Sequence, residues 1–356
     1  MPSATPDTLP ARPEPPRQIA ATGPALPPGR GELSDAVIRA LSGPPGGARL
    51  LPERSAGAPD PVQAADPYGD DLQLALYLCY ELHYASFAQV SGDWEWDPEL
   101  LRLRAALEGR FLGALREDAT RHTAVADAMA GLLVEPVDGD GVSHFLASER
   151  GELWQVREYA AQRSLYHLKE ADPHAWVIPR LRGQAKAAMV AVEFDEFGAG
   201  RGDRVHAELF AALLADLGLD PAYGAHLDAA PAPMLTLVNL MSLFGLHRTL
   251  RGALVGHFAA VEITSSPASR RLAQAMERLD AGEAAAHFYR EHVEADAVHE
   301  QIVRRDVVAD LLRQEPGLEA DVAFGMDATE FTEQALADHL LTCWRAGRSS
   351  LRVPLR

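Results

Sequence analysis

The strongest chemical signal in the sequence is a set of two histidines and one aspartate, His292, Asp296 and His299. In an α-helix, residues four and seven positions apart return to nearly the same side, so His292, Asp296 and His299 share one face. Two imidazoles and a carboxylate on one face are a ligand set suited to iron, manganese or zinc. The alternative is a partly exposed polar stripe, although the apolar neighbours Phe288 and Ile302 favour a position beside the core.

Glu196 and His206 form a second candidate pair, ten positions apart. An unbroken helix would place them about 80° out of phase, so they can share a metal only if the chain between them is not plain helix. Three glycines, at positions 198, 200 and 202, lie in this interval and relax the backbone. The alternative is an ordinary helix end followed by a surface loop.

Glu262 and Glu170 are two further candidates. Glu262 lies in a largely apolar segment with no lysine or arginine within one turn. An unpaired buried carboxylate is costly, so it needs a cation, and a metal would supply one; alternatively the side chain reaches solvent at the helix edge. Glu170 lies between a helix and a proline turn, where Lys169 and Asp172 also make a solvated charge cluster plausible.

Other motifs favour packing over chemistry. Glu81 and His83 fall on different faces of a helix, which favours packing or dimer contacts. No glutamate is followed by a histidine three positions later, and this disfavours a ferritin-like carboxylate site. The sequence also lacks a nucleophile elbow and a glycine loop that follows a strand, so hydrolase and nucleotide-binding functions are not indicated.

Composition excludes several classes of protein. The chain carries a formal net charge of −18, which argues against nucleic-acid binding because phosphate recognition needs clustered cations. Cys79 and Cys343 lie far apart, so we expect neither a disulfide framework nor a zinc-thiolate site. No stretch approaches the ~20 apolar residues of a membrane helix, so we expect no membrane span. These features predict an acidic cytoplasmic protein.

Apolar periodicity predicts an all-α protein in three parts. Residues 1–66 contain fourteen of the 25 prolines and should be a disordered arm, with one short helix near residues 33–41. Residues 70–142 should form an N-terminal helical region that takes part in dimer contacts, and residues 143–356 a helical metal-binding domain. In that domain we expect one helix over 233–264 and another over 269–282.

Together these motifs resemble the haem-oxygenase-like diiron oxidases and oxygenases, a family of iron-containing redox enzymes, over roughly residues 145–346. The resemblance implies a haem-oxygenase-like bundle of about seven helices with an N-terminal helical extension. It implies two iron ions and O₂ as co-substrate, with Asp195, Tyr166 and Tyr289 supporting the ligands. The implied metal ligands are Glu196, His206, Glu262, His292, Asp296 and His299, with Glu170 as the weakest member.

Charge arithmetic agrees with this ligand set, because its four carboxylates would balance two Fe²⁺ ions. The similarity is greatest to the N-oxygenases of the family, which implies N-hydroxylation of an amine or guanidine. Oxidative C–C cleavage or desaturation at the same site is the next alternative. A haem-binding, cofactor-free or non-catalytic iron-binding protein of the same fold is another. As partners we expect a small-molecule substrate, an external electron donor and a second copy in a homodimer, with neither nucleic acid nor membrane.

Overall fold

The computed structural model describes residues 23–46, 50, 60–134 and 139–355. Most of the predicted arm, namely residues 1–22, 47–49 and 51–59, lies outside these ranges. Within the described ranges the chain consists of helices and their connections, and no strand is present there. The all-α prediction is confirmed.

The described N-terminal part of the fold contains one long helix and five shorter ones. Their bounds are α1 Glu32–Leu41, α2 Pro61–Ala64, α3 Asp70–Glu81, α4 Pro98–Asp118, α5 Val125–Leu132 and α6 Val142–Ala147. The side chain of Asp97 accepts hydrogen bonds from the backbone N–H groups of Glu99 and Leu100. Asp97 therefore caps α4, and Pro98 occupies its first turn.

Helix α1 lies inside the predicted arm and packs against α3. Leu33 and Val37 are buried in the common hydrophobic core, and Asp71 accepts the backbone N–H groups of Leu33 and Ser34. Burial of the apolar face of α1 is what stabilises so short a helix. The division into three parts at residues 66 and 142 stays a prediction.

The C-terminal helices form the bundle. Their bounds are α7 Leu153–His167, α8 Asp172–Ala175, α9 Gly183–Glu196, α10 His206–Asp216, α11 Ala232–Leu246, α12 Arg251–Arg278, α13 Glu283–Ile302, α14 Ala309–Gln314 and α15 Glu319–Arg345. A π-helical stretch, Val303–Val308, joins α13 to α14. Helix α12 is central, and it packs along both α13 and α15.

Small residues allow α12 and α15 to approach closely. A Cβ atom at Gly256 would collide with the backbone carbonyl of Val322, and one at Gly325 would collide with that of Ala253. Glycine at both positions therefore lets the two backbones touch. Among the described helices, none has the length and apolar character needed to cross a membrane.

Helix boundaries around α12 differ from the predicted ones. The predicted helix over residues 233–264 is broken at His247, whose backbone is extended. A break was expected between residues 264 and 269. Instead, α12 continues through Pro267 and ends at Arg278. Proline removes one helical hydrogen bond, but Ile263 and Ser269 are buried on either side of it, and tertiary packing holds the helix together.

Candidate metal centre

Acidic and imidazole side chains from α9, α10, α12, α13 and the connection after α7 converge on one cavity inside the bundle. The cavity has a volume of about 20 Å³, room for little more than one water molecule. No lysine or arginine is among the described residues that line it. Its walls are formed by Tyr166, Glu170, Ala171, His174, Glu196, Phe258, Val261, Glu262, Ser265, His292 and Asp296.

One group of potential ligands consists of Glu170, Glu196, His206 and His292. One nitrogen or oxygen atom from each lies within 4.8 Å of those of the others, and all four residues are buried. Nδ1 of His206 lies 2.7 Å from Oε2 of Glu196, and Nε2 of His292 lies 3.7 Å from Oε1 of Glu170. This group has the size and composition of a single metal site.

A second group lies beside the first and shares Glu196 with it. Atoms of Glu196, Asp296 and His299 lie within 4.8 Å of one another. Nδ1 of His299 is 3.5 Å from Oε1 of Glu196 and 3.5 Å from Oε2 of Glu262, which brings Glu262 to the same place. The two carboxylate oxygens of Glu196 thus face different groups.

The chain between Glu196 and His206 leaves the helix, as sharing a site requires. Helix α9 ends at Glu196, and two 3-10 turns lead to α10, which begins at His206. Gly198 has a φ of 72°, and a Cβ atom there would come within 2.7 Å of the backbone of Arg204. Glycine is therefore needed at this turn, both for the left-handed backbone and for space.

Hydrogen bonds on the far side of two rings determine which nitrogen faces the cavity. Nδ1 of His292 donates to the backbone carbonyl of Phe288 at 2.7 Å, which leaves Nε2 facing the carboxylates. Nε2 of His299 lies 3.3 Å from Oδ2 of Asp195, which leaves Nδ1 facing Glu196 and Glu262. Such outer hydrogen bonds orient the histidine ligands of metals.

Several inward-facing atoms of the two groups are buried and have no hydrogen-bond partner in the described ranges of the chain. His206 Nδ1 is one of them, because its close approach to Glu196 lacks the alignment of a hydrogen bond. Buried polar atoms are normally paired, so a cluster of unpaired ones that converge indicates a place for a cation. The unpaired atoms are Nδ1 of His206, Oε2 of Glu262, Nε2 of His292, Oδ2 of Asp296 and Nδ1 of His299.

Ionisation in the cluster reflects burial and crowding. Burial raises the pKa of Glu262 to about 8, and the charges of Asp296 and Glu196 act in the same direction. Burial opposes protonation of His292, yet the nearby Glu170 carboxylate raises its pKa to about 10. A metal must therefore displace protons from this cluster, and metal affinity should fall as the pH falls.

All seven predicted ligands lie in or beside this cavity, and two of the three supporting residues do as well. Asp195 contacts His299, and Tyr166 lines the cavity. Tyr289 is buried, but it is not among the residues that line the cavity.

Sequence reasoning missed three residues next to the centre: the half-buried His167 and the buried His174 and Glu193. Nδ1 of His167 lies 2.9 Å from Oε2 of Glu170, a contact that the three-residue spacing of a helix end could have indicated. His174 lines the cavity, and nothing but its position four residues after Glu170 pointed to it. Glu193 is buried one turn before Glu196, and burial raises its pKa to about 9, so it is protonated at neutral pH.

The sequence between α7 and α15 matches a family model whose description is iron-containing redox enzyme. The match covers residues 157–331, about half of the chain, and includes both groups of potential ligands. This region belongs to the iron-containing redox enzyme family. No curated protein matches the chain. A buried acid and imidazole cluster able to bind metal is what an iron-dependent oxidoreductase of this family requires.

Proposed function

We propose that the protein is a non-haem diiron oxygenase that uses O₂ to oxidise a small organic substrate. The observation that carries this proposal is the shared position of Glu196, which belongs to both groups of potential ligands. A carboxylate with one oxygen toward each of two neighbouring sites is suited to bridge a pair of metal ions. A mononuclear site would use one group and leave the other unexplained.

The division of ligands follows from the distances. Glu170, His206 and His292 would hold the first iron, and Glu262, Asp296 and His299 the second. With Glu196 between them, four carboxylates balance two Fe²⁺ ions. When bound, the two ferrous ions would supply electrons and open positions for the activation of O₂.

The other residues of the chain have supporting roles in this proposal. Asp195 and the carbonyl of Phe288 hold the rings of His299 and His292 in place. His167 holds Glu170 from the side away from the cavity. Phe258 and Val261 form an apolar part of the cavity wall, which limits the access of water to the centre.

N-hydroxylation of an amine or guanidine is the reaction we favour. The cavity is lined by carboxylates, which accept hydrogen bonds from N–H groups, and the described lining residues include no lysine or arginine to bind an anionic substrate. C–C cleavage and desaturation are the next alternatives.

Incorporating one oxygen atom of O₂ consumes two further electrons, so the proposal includes an external electron donor. A homodimer and a cytoplasmic location complete it.

Iron loading under anaerobic conditions tests this proposal. We expect the wild-type protein to bind two Fe²⁺ per chain and to oxidise them rapidly when O₂ is added. His299→Ala should lose at least one iron while its circular dichroism is unchanged, because the second group loses an imidazole. His226→Ala is the matched control, since His226 is also buried but lies outside the cavity.

Three results would contradict the proposal. Two irons retained by His299→Ala would place the metal elsewhere. A haem spectrum in the purified protein, or no affinity for iron, would favour a haem-binding or cofactor-free protein. Slow accumulation of many ferric ions per chain would favour iron storage.

A further inference from the structure

His174 is a buried histidine that has no hydrogen-bond partner within the part of the chain that the structure describes. It is 1% exposed, lies on α8 and forms part of the cavity wall. Neither Nδ1 nor Nε2 has a partner among the described residues. A buried imidazole normally bonds through at least one nitrogen, so these atoms are available to a molecule in the cavity.

Two aromatic rings pack against His174. Its ring centroid lies 4.9 Å from that of Phe258 and 5.2 Å from that of His257. Thr329 donates its hydroxyl proton to the carbonyl of Gly325 at 2.7 Å, so its oxygen accepts Nδ1–H of His257 at 2.8 Å. This hydrogen bond fixes the ring of His257, which packs against the ring of His174.

His174 carries no charge at neutral pH. Burial and the neighbouring ring of His257 hold the pKa of His174 well below its ordinary value. A neutral imidazole has one lone pair that accepts a hydrogen bond, and it does not repel a cation. The cavity wall beside it contributes the carboxylates of Glu170, Glu196, Glu262 and Asp296, and its described residues include no lysine or arginine.

We propose that His174 is the residue that holds the substrate, by accepting a hydrogen bond from an N–H group of a cationic amine or guanidine beside the metal centre. The inference rests on the function proposed above and assigns a substrate-binding residue to it. An anionic head group at the same place would meet a neutral ring and, among the described residues of the wall, no lysine or arginine. A cation with N–H donors finds an acceptor there.

Binding of three probes with the same alkyl chain tests this inference. The probes are n-butylguanidine, n-butylamine and butyrate, titrated calorimetrically into the anaerobic, Fe²⁺-loaded protein. We expect at least one of the two cations to bind at least tenfold more tightly than butyrate. His174→Phe should weaken that binding at least tenfold, whereas His174→Gln, which keeps an acceptor oxygen, should weaken it less.

His226→Phe serves as the matched control, because it also replaces a buried histidine but leaves the cavity unchanged. If His174→Phe does not fold, the comparison of His174→Gln with His174→Leu decides. Butyrate binding as tightly as the cations, no cation binding, or unchanged affinity in an iron-loaded His174 variant would overturn the inference. Failure of the wild-type protein to load iron would instead count against the proposed function.

Discussion

Two buried polar clusters meet at the connection after α7, and they differ in how their charges are balanced. Lys169 belongs to one cluster and Glu170 to the other. Nζ of Lys169 donates to Oε2 of Glu81 at 2.7 Å, and the hydroxyl of Tyr223 donates to Oε1 of the same carboxylate at 2.5 Å. In this first cluster one cation meets one anion, and both carboxylate oxygens are paired.

The candidate metal cluster on the other side has acids and imidazoles, and no lysine or arginine is among the described residues that line its cavity. Several of its inward-facing atoms, including Oε2 of Glu262 and Nε2 of His292, have no partner among the described residues. The first cluster is therefore complete within the protein, whereas the second is arranged around a cation that the protein itself does not supply. Substitutions in the two clusters should accordingly have opposite effects on the stability of the iron-free protein.

The largest effect is expected in the complete cluster. Lys169→Met leaves Glu81 buried without its cation, and we expect it to lower the free energy of unfolding by about 3–5 kcal/mol in urea denaturation. Glu81→Gln combined with Lys169→Met should restore most of the loss. Arg204→Met, which removes an exposed ion pair with Glu291, should change stability by less than about 1 kcal/mol. Equal effects of the buried and exposed substitutions would break the comparison.

The opposite sign is expected for Glu262→Gln in the iron-free protein. The pKa of Glu262 is raised to about 8 in the fold, so ionisation of this carboxyl destabilises the folded state. The native residue loses stability as the pH rises from about 4 through 8, and the variant does not. We expect Glu262→Gln to be more stable than the wild type by roughly 1–3 kcal/mol at pH 8, and similar to it at pH 4.

Urea denaturation at the two pH values measures this difference, with Glu117→Gln on the exposed face of α4 as the control. The same Glu262 variant should bind less iron than the wild type. A Glu262→Gln protein that is less stable than the wild type at pH 8 without iron would show that the metal cluster is balanced internally.

The smallest effect concerns the support of a ligand. Asp195→Asn keeps the shape of the side chain that contacts His299 but removes its charge, so we expect iron affinity to fall about 10- to 100-fold without loss of fold. Competition with a colorimetric Fe²⁺ chelator measures the affinity. Asp203→Asn, at an exposed carboxylate in the turn before α10, should leave it unchanged.

Local patterns predicted much of the candidate site. The common face of His292, Asp296 and His299 depends on nothing but the helical period, and the break between Glu196 and His206 follows from glycines in the interval. The resemblance to a known family joined these separate motifs into one site. Iron binding itself, and the role of each residue, stay predictions.

Features that depend on distant contacts could not be predicted in this way. Glu81 and Lys169 are 88 positions apart, and no local pattern connects them. Helix α12 passes through Pro267 because its flanking residues are buried by α13 and α15, which the helix propensity of the segment does not reveal. His174 was overlooked because its significance lies in the lack of a partner.

The glycine turn between α9 and α10 has a consequence for how this centre can vary. Glu196 is the last residue of one helix and His206 the first of the next, so the loop between them is a spacer rather than part of either scaffold. Insertions and deletions are absorbed more readily by such a loop than by a packed helix. A change in the length of this loop should therefore alter the separation of Glu196 and His206 along the chain while both helices stay in register with the bundle.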